Sequence, residues 1–172
     1  MIGHGDAHNG NVFFQQGSLL YFDPAFAGRH HPLLDVVKPL FHNVFAMWMY
    51  FPHDKSAKTT ITFKRQGDLW SVEHDYALHA VRSMFLRSKV EHVLTPIVLA
   101  LKRRGWLSAD WRAFLKAALL CCPLLTMNLL ASEKFPPSIT LLGLTMAVEM
   151  GGESQGQRSL IDRTLDDIEK SL

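Results

Sequence analysis

The chain opens Met1-Ile-Gly-His-Gly-Asp-Ala-His-Asn-Gly-Asn-Val-Phe-Phe14. His4, Asp6 and His8 alternate here and Asn11 follows, a density of polar groups that packing does not need. Such groups usually act from loops held over a rigid body. Ile2 to Asn11 reads as an extended entry running into a polar loop. Val12-Phe13-Phe14 is a short strand, Gln15-Gln16-Gly17-Ser18 a turn, and Leu19-Leu20-Tyr21-Phe22 a second strand. A tight hairpin of this kind places Asn11, before its first strand, beside Asp23, after its second.

Outward from the hairpin, Asp23 to Pro32 is a loop punctuated by Pro24, Gly28 and Pro32. From Leu33 to about Tyr50 apolar residues recur at helical spacing, with a kink expected at Pro39. The run from Phe45 to Phe51 fits core packing better than a ligand box. Pro52 to Ala57 reads as a connection. Thr60 to Phe63 and Leu69 to Val72 flank a polar turn and suggest a second hairpin. Helices are expected over Glu73 to Arg87, Val90 to Arg104, Ala109 to Ser132, Ser138 to Met150 and Gln157 to Ser171, with Ser108 and Ser138 as N-caps. Gly151 to Gly156 reads as a flexible linker; no strand precedes it and no Gly-Lys-Ser/Thr follows, so it does not fit a phosphate loop. The expected organisation is a single unit over 1–172: loops over 1–37, a helical body over 38–150, and a linker and C-terminal helix over 151–172.

Composition narrows the partners. The 172 residues carry 18 basic and 16 acidic side chains, a formal net charge of +2, and 48% hydrophobic residues. The length suits one domain with a sizeable core. The charge balance gives no support to nucleic acid or an anionic membrane as partner. Lys102-Arg103-Arg104 reads as cations at a helix C-terminus before Gly105. Cys121 and Cys122 are adjacent and lie in an apolar run, so both are expected buried and reduced. The N-terminus shows no basic region leading into an apolar stretch, and the expectation is a cytoplasmic protein. Phe114 to Ala131 is the most apolar segment, but Lys116, Pro123, Thr126 and Asn128 interrupt it, and it is short of the roughly 20 residues of a bilayer span. A buried core helix is expected.

His4-Gly5-Asp6 with Asn11 five positions on has the spacing H-x-D-x-x-x-x-N. The region resembles the aminoglycoside phosphotransferase and choline kinase-like family, which shares the protein-kinase fold and reads approximately H-G-D-x-H-x-x-N, a strand, then D-x-x-x-A-G-x-x-x-P-x-x-D. His4, Gly5, Asp6, His8 and Asn11 fit the first block; Asp23, Ala27, Gly28, Pro32 and Asp35 fit the second. The resemblance covers about residues 3 to 37. It implies a mainly α fold with one or two short β-hairpins, the C-terminal lobe of a protein-kinase-like fold. It implies an ATP-dependent phosphotransferase acting on a hydroxyl of a small molecule. Asp6 would be the catalytic aspartate, Asn11 and Asp23 the ligands of a Mg²⁺ that accompanies the nucleotide, and His4, His8 and Asp35 supports of the loop. Pro24 stands where the family often has an aromatic residue, His31 where it often has Asp or another polar residue, and Val36-Val37 replaces the usual Leu-Ala. The strand-rich N-terminal lobe of such kinases, with its nucleotide-covering loop and Lys, is missing from this sequence, and the expectation is a partial form needing that lobe as a partner.

Other readings compete. A polar turn capped by its own side chains would account for His4, Asp6 and His8 but not for the second block. In an extended segment the same three side chains point one way and would suit a metal-dependent hydrolase, which leaves Asn11 and the Asp23 to Asp35 block unexplained. A non-catalytic pseudo-kinase or interaction fragment keeps the motif without the chemistry. His30-His31 beside Pro32 reads as a solvated loop, and Glu73-His74-Asp75 as a solvated helix start rather than the lining of a cationic acceptor's pocket.

Overall fold

The computed structural model describes residues 2–24 and 26–172; Met1, in the opening stretch, and Ala25, in the loop from Asp23 to Pro32, lie outside the described residues. The chain is mostly helical with three short antiparallel strand pairs among the described residues. Strand β1 (Ile2–Gly3) leads through the polar loop to a 3-10 turn at Asn9–Asn11, then to β2 (Val12–Gln15) and β3 (Ser18–Tyr21). Val12 faces Tyr21 and Gln15 faces Ser18, so Gln16 and Gly17 alone make the turn. Both adopt positive φ, 49° and 81°, the left-handed pair that matches the twist of a two-residue hairpin. The ladder extends one step, with Phe22 N–H donating to Asn11 O at 3.2 Å. β4 (Gly28–Arg29) returns to pair with β1, closing a ring of chain around the polar loop.

The helical body starts with α1 (Leu34–Leu40), passes through a π-helical segment (Phe41–Phe45) and ends in α2 (Met47–Tyr50). The widened turn follows directly on Pro39, whose missing N–H weakens the ladder there. Leu33, Leu40, Phe41, Val44, Trp48 and Met49 are buried, forming one side of the core. Next come α3 (Pro52–Lys58), the hairpin β5 (Ile61–Gln66) and β6 (Leu69–His74), and a helical run of α4 (Ala80–Lys89), a second π segment (Val90–Leu94) and α5 (Thr95–Arg103). Gly105, at φ 67°, ends that run just past its basic last turn. α6 (Trp111–Thr126) and α7 (Pro137–Gly151) pack along each other, and Gly143 sits where a Cβ would come within 2.8 Å of the Trp48 ring. Among the described residues no helix is long and apolar enough to cross a membrane.

α8 (Leu160–Lys170) closes the body. Ser159 caps it, Oγ accepting from Asp162 N–H at 3.1 Å, and Ile161, Leu165 and Ile168 recur on its buried face. Lys116 and Asp162 are both buried and ion-paired, with Glu153 on Lys116 at 3.2 Å. Asp162 also accepts from the Ser154 N–H and hydroxyl. Burial pushes the Asp162 carboxyl up, but the Lys116 and Ser154 hydrogen bonds outweigh it and bring it down to about 2.

Several expectations need correction. The segment over 151–156 starts within α7, whose last residue is Gly151, and the connection that follows carries Glu153 and Ser154 onto the buried pair. Pro52 begins a helix rather than a connection, since proline suits the first helical position. The second hairpin is longer than predicted and runs into Glu73 and His74, so α4 starts later, at Ala80. Asp75 accepts from Thr60 N–H at 2.8 Å and closes the hairpin base. α6 ends at Thr126 instead of Ser132. Ser108 and Ser138 do not cap: Asp110 and Pro136 precede α6 and α7, and Ser138 Oγ instead meets Ser56 Oγ at 2.7 Å. Cys122 is buried but Cys121 is exposed, because successive residues on a helix cannot share one face.

Candidate active site

The loop over residues 3–11 is held from three sides. From below, the Asp35 carboxylate in the first turn of α1 accepts from Gly5 N–H at 3.0 Å and meets His30 Nε2 at 2.7 Å. Glycine is required at position 5, where φ is 75° and a Cβ would sit 2.4 Å from Phe26 O. From the hairpin side, His4 Nδ1 accepts from Asp6 N–H at 3.3 Å, which leaves the proton on Nε2 to donate to Phe22 O at 3.0 Å. His4 therefore couples the backbone of Asp6 to the residue before Asp23. From the helical body, Asn43 Oδ1 accepts from Asn9 N–H at 2.9 Å, and Arg82 donates to Asn43 O at 2.9 Å.

Within the loop, His8 caps the 3-10 turn, its Nδ1 accepting from Gly10 N–H at 3.0 Å. Its remaining N–H, on Nε2, lies 3.8 Å from Asp6 Oδ1. The buried Asn11 side chain donates from Nδ2 to Asp6 O at 3.1 Å. That bond fixes the amide orientation and leaves Oδ1 accepting nothing from the described residues. Asp23 holds φ 56°, a left-handed conformation that aspartate tolerates at a cost of about 1 kcal/mol. Its carboxylate makes no hydrogen bond or ion pair with the described residues. The extended ladder sets Asn11 against Phe22, so Asp23 follows one residue beyond.

Asp6 itself is mostly buried, and Oδ1 has no hydrogen bond. Lys38 Nζ lies 3.1 Å from it as an ion pair, but without the angles of a hydrogen bond. Lys38 also stacks over the Phe26 ring at 4.2 Å. Asp6 opens into a cleft of about 760 Å³ between the loop, α1 and α6, a size suited to a small organic molecule. His42, on the cleft floor, is joined through Nδ1 to the Tyr50 hydroxyl. Burial pushes its imidazole down to about 4, with His8 and Lys38 adding to the effect and Asp6 opposing it.

Of the predicted residues, Asp6 and His8 line the cleft, His4, Asn11 and Asp35 hydrogen-bond to the loop that carries Asp6, and Asp23 stands at the end of the hairpin with no side-chain bond to the described residues. His4 has both ring nitrogens engaged and none left for a metal. Among the described residues no three His, Cys, Asp or Glu side chains converge as a metal-holding cluster. Residues 73–75 lie outside the cleft lining. Lys38, His42, Asn43, Arg82 and the α6 wall were not anticipated. Lys38 had a signal, standing three residues beyond Asp35 and so on the same helical face; Asn43 and Arg82 had none. No protein-family model, curated protein or solved structure matches the chain, which leaves the chemistry to be read from the site's own groups.

Proposed function

We propose that this chain is the C-terminal lobe of a protein-kinase-like phosphotransferase, resembling the aminoglycoside phosphotransferase and choline kinase-like family, that moves the terminal phosphoryl group of ATP to an alcohol. One observation carries the reading: Asp6, with a buried carboxylate oxygen lacking a hydrogen bond, faces a cleft of ligand size. A carboxylate left poorly satisfied in this way is costly, and a hydroxyl entering the cleft would stabilise it. The acceptor hydroxyl donates to the Asp6 carboxylate, which orients its oxygen and takes its proton as the new O–P bond forms and the bond to ADP breaks. The proton then passes to solvent. Lys38 compensates the carboxylate charge, while His4 and Asp35 fix the backbone that aims it.

Asn11 Oδ1 and the Asp23 carboxylate are uncommitted oxygens on adjacent backbone, a donor set that fits Mg²⁺, which would neutralise charge on the transferring phosphoryl group. The nucleotide-covering half would rest on the β2–β3 hairpin, where Phe13, Phe14, Leu19 and Tyr21 stand exposed. Exposed apolar surface on this scale marks a binding face. It also favours a second reading, a non-catalytic pseudo-kinase or interaction fragment that uses the hairpin to bind another protein.

ATP consumption and phosphorylation of a panel of alcohols, measured on this chain and on a form extended at its N-terminus, separates the two. Phosphorylated alcohol in either form supports the enzyme; hairpin-dependent protein binding without any phosphorylated product supports the second reading.

A further inference from the structure

The cleft beside Asp6 is lined by charged groups that are already ion-paired with each other. Its one carboxylate among the described lining residues is Asp6, and its one Lys or Arg is Lys38; they pair at 3.1 Å. Each imidazole also faces a partner within the protein: His8 faces Asp6 at 3.8 Å, His30 meets Asp35 at 2.7 Å, and His42 meets the Tyr50 hydroxyl. The rest of the lining is largely apolar. Phe26, Leu34 and Val37 form one wall, and Ala118, Cys121 and Leu125 of α6 form the other.

A cationic acceptor would find no spare carboxylate here, and burying its charge without a partner is expensive. An anionic acceptor would have to take Lys38 from Asp6 and lie against that carboxylate. A neutral molecule with an apolar body displaces water from both walls and needs only one hydrogen bond, to the Asp6 carboxylate. We infer that the acceptor is an uncharged alcohol with an apolar body, and that the α6 wall, Leu125 in particular, sets this preference. The inference rests on the phosphotransferase reading for the word acceptor, but the binding it describes needs no nucleotide.

The test uses probes sharing one body: 3-phenyl-1-propanol, phenylalaninol, which adds an ammonium, and 3-phenyllactate, which adds a carboxylate, with kanamycin as a polycation. Saturation-transfer NMR titration gives the affinity of each. Alkylation of Cys121 by iodoacetamide, followed by mass spectrometry, reports occupancy of the cleft, since Cys121 is exposed on its wall. We expect 3-phenyl-1-propanol to bind at least tenfold more tightly than either charged analogue and to slow Cys121 alkylation, and kanamycin to do neither. Leu125 is 82% exposed, so Leu125→Glu leaves the fold intact. That variant should lose the neutral probe and gain phenylalaninol, reversing the order.

Equal or tighter binding of phenylalaninol or kanamycin to the unaltered chain overturns the inference, as does binding of none of the probes or unchanged selectivity in Leu125→Glu. Neutral-probe binding with Cys121 protection, but no phosphorylated product from this chain or from the form extended at its N-terminus when ATP and Mg²⁺ are supplied, upholds the cleft's selectivity and counts against phosphoryl transfer instead.

Discussion

Two mostly buried carboxylates, Asp6 and Asp162, are treated in opposite ways. Asp162 is 0% exposed and saturated: Lys116 holds one oxygen, the Ser154 N–H and hydroxyl hold the other, and Ser159 caps the helix on which it sits. Asp6 has an ion pair off hydrogen-bonding line and a distant imidazole, and one oxygen is left without a hydrogen bond. Saturation serves the fold, tying α6, the turn after α7 and α8 together. Under the proposed function, the shortfall at Asp6 leaves its carboxylate able to take a hydrogen bond from a ligand in the cleft. The surroundings follow the same division. The 153–169 region spends its charges internally, with Arg158 and Arg112 both reaching Asp166, whereas the loop and hairpin leave Asn11 Oδ1, Asp23 and several large apolar side chains unused.

The largest stability effect should come from breaking the saturated site. Lys116→Met leaves Asp162 buried without its cation and should cost about 4 kcal/mol in urea unfolding. A loss under about 1 kcal/mol would mean the buried pair does not organise the C-terminal half.

Acid should then separate the regions by pH window. The His42 imidazole is held near 4 in the folded state and titrates at 6.5 when unfolded. Between those values the unfolded chain binds a proton that the folded chain does not, so stability falls as pH drops, by about 3 kcal/mol at pH 4. Asp162 behaves like other depressed carboxyls: its contribution is complete above pH 3.8 and is lost only as pH falls towards 2. His42→Gln should flatten the unfolding free energy between pH 6.5 and 4.5; an unchanged slope would place that sensitivity elsewhere.

A smaller effect is expected at Lys38, which is a third exposed. Lys38→Met should change stability by less than about 1 kcal/mol, as for a partly solvated ion pair, while lowering kcat of alcohol phosphorylation about tenfold with little change in the KM for ATP. The smallest effect has the opposite sign. Asp23→Gly removes a side chain from a left-handed position and should raise stability by up to about 1 kcal/mol while abolishing Mg²⁺-dependent nucleotide binding. If calorimetry shows instead that Asp23→Gly destabilises the fold, Asp23 belongs with Asp162 as a structural residue.

These effects also mark what could be read from residues alone. The β2–β3 hairpin was legible because two short apolar runs flanking a Gln-Gly turn are local signals, and the backbone of Asn11 and Phe22 came together as a consequence of it. The braces of Asp6 were legible only as what the family resemblance implies for His4, His8 and Asp35. Lys38 was visible only as a face-mate of Asp35, and its reach to Asp6 depends on how α1 lies beneath the loop. Asn43 and Arg82 act across 34 and 39 residues, on the 3-10 turn and on the Asn43 carbonyl, which no local pattern encodes. The linker reading missed these contacts for a similar reason: Gly151-Gly152 and Gly156 are permissive, but Glu153 and Ser154 bond to Lys116 and Asp162 from elsewhere in the chain. The β1–β4 pair, only two residues a side, was too short to announce itself.

The central claim is that Asp6 is held short of hydrogen bonds for the sake of an acceptor hydroxyl. Asp6→Ala tests it most directly, assayed in whichever form of the protein phosphorylates an alcohol, with thermal unfolding measured alongside. The account predicts a loss of transfer of about a thousandfold with nucleotide binding retained and a melting temperature unchanged or higher, since a poorly satisfied buried carboxylate is removed. Undiminished turnover in Asp6→Ala, or a collapse of its stability comparable to that of Lys116→Met, would contradict it.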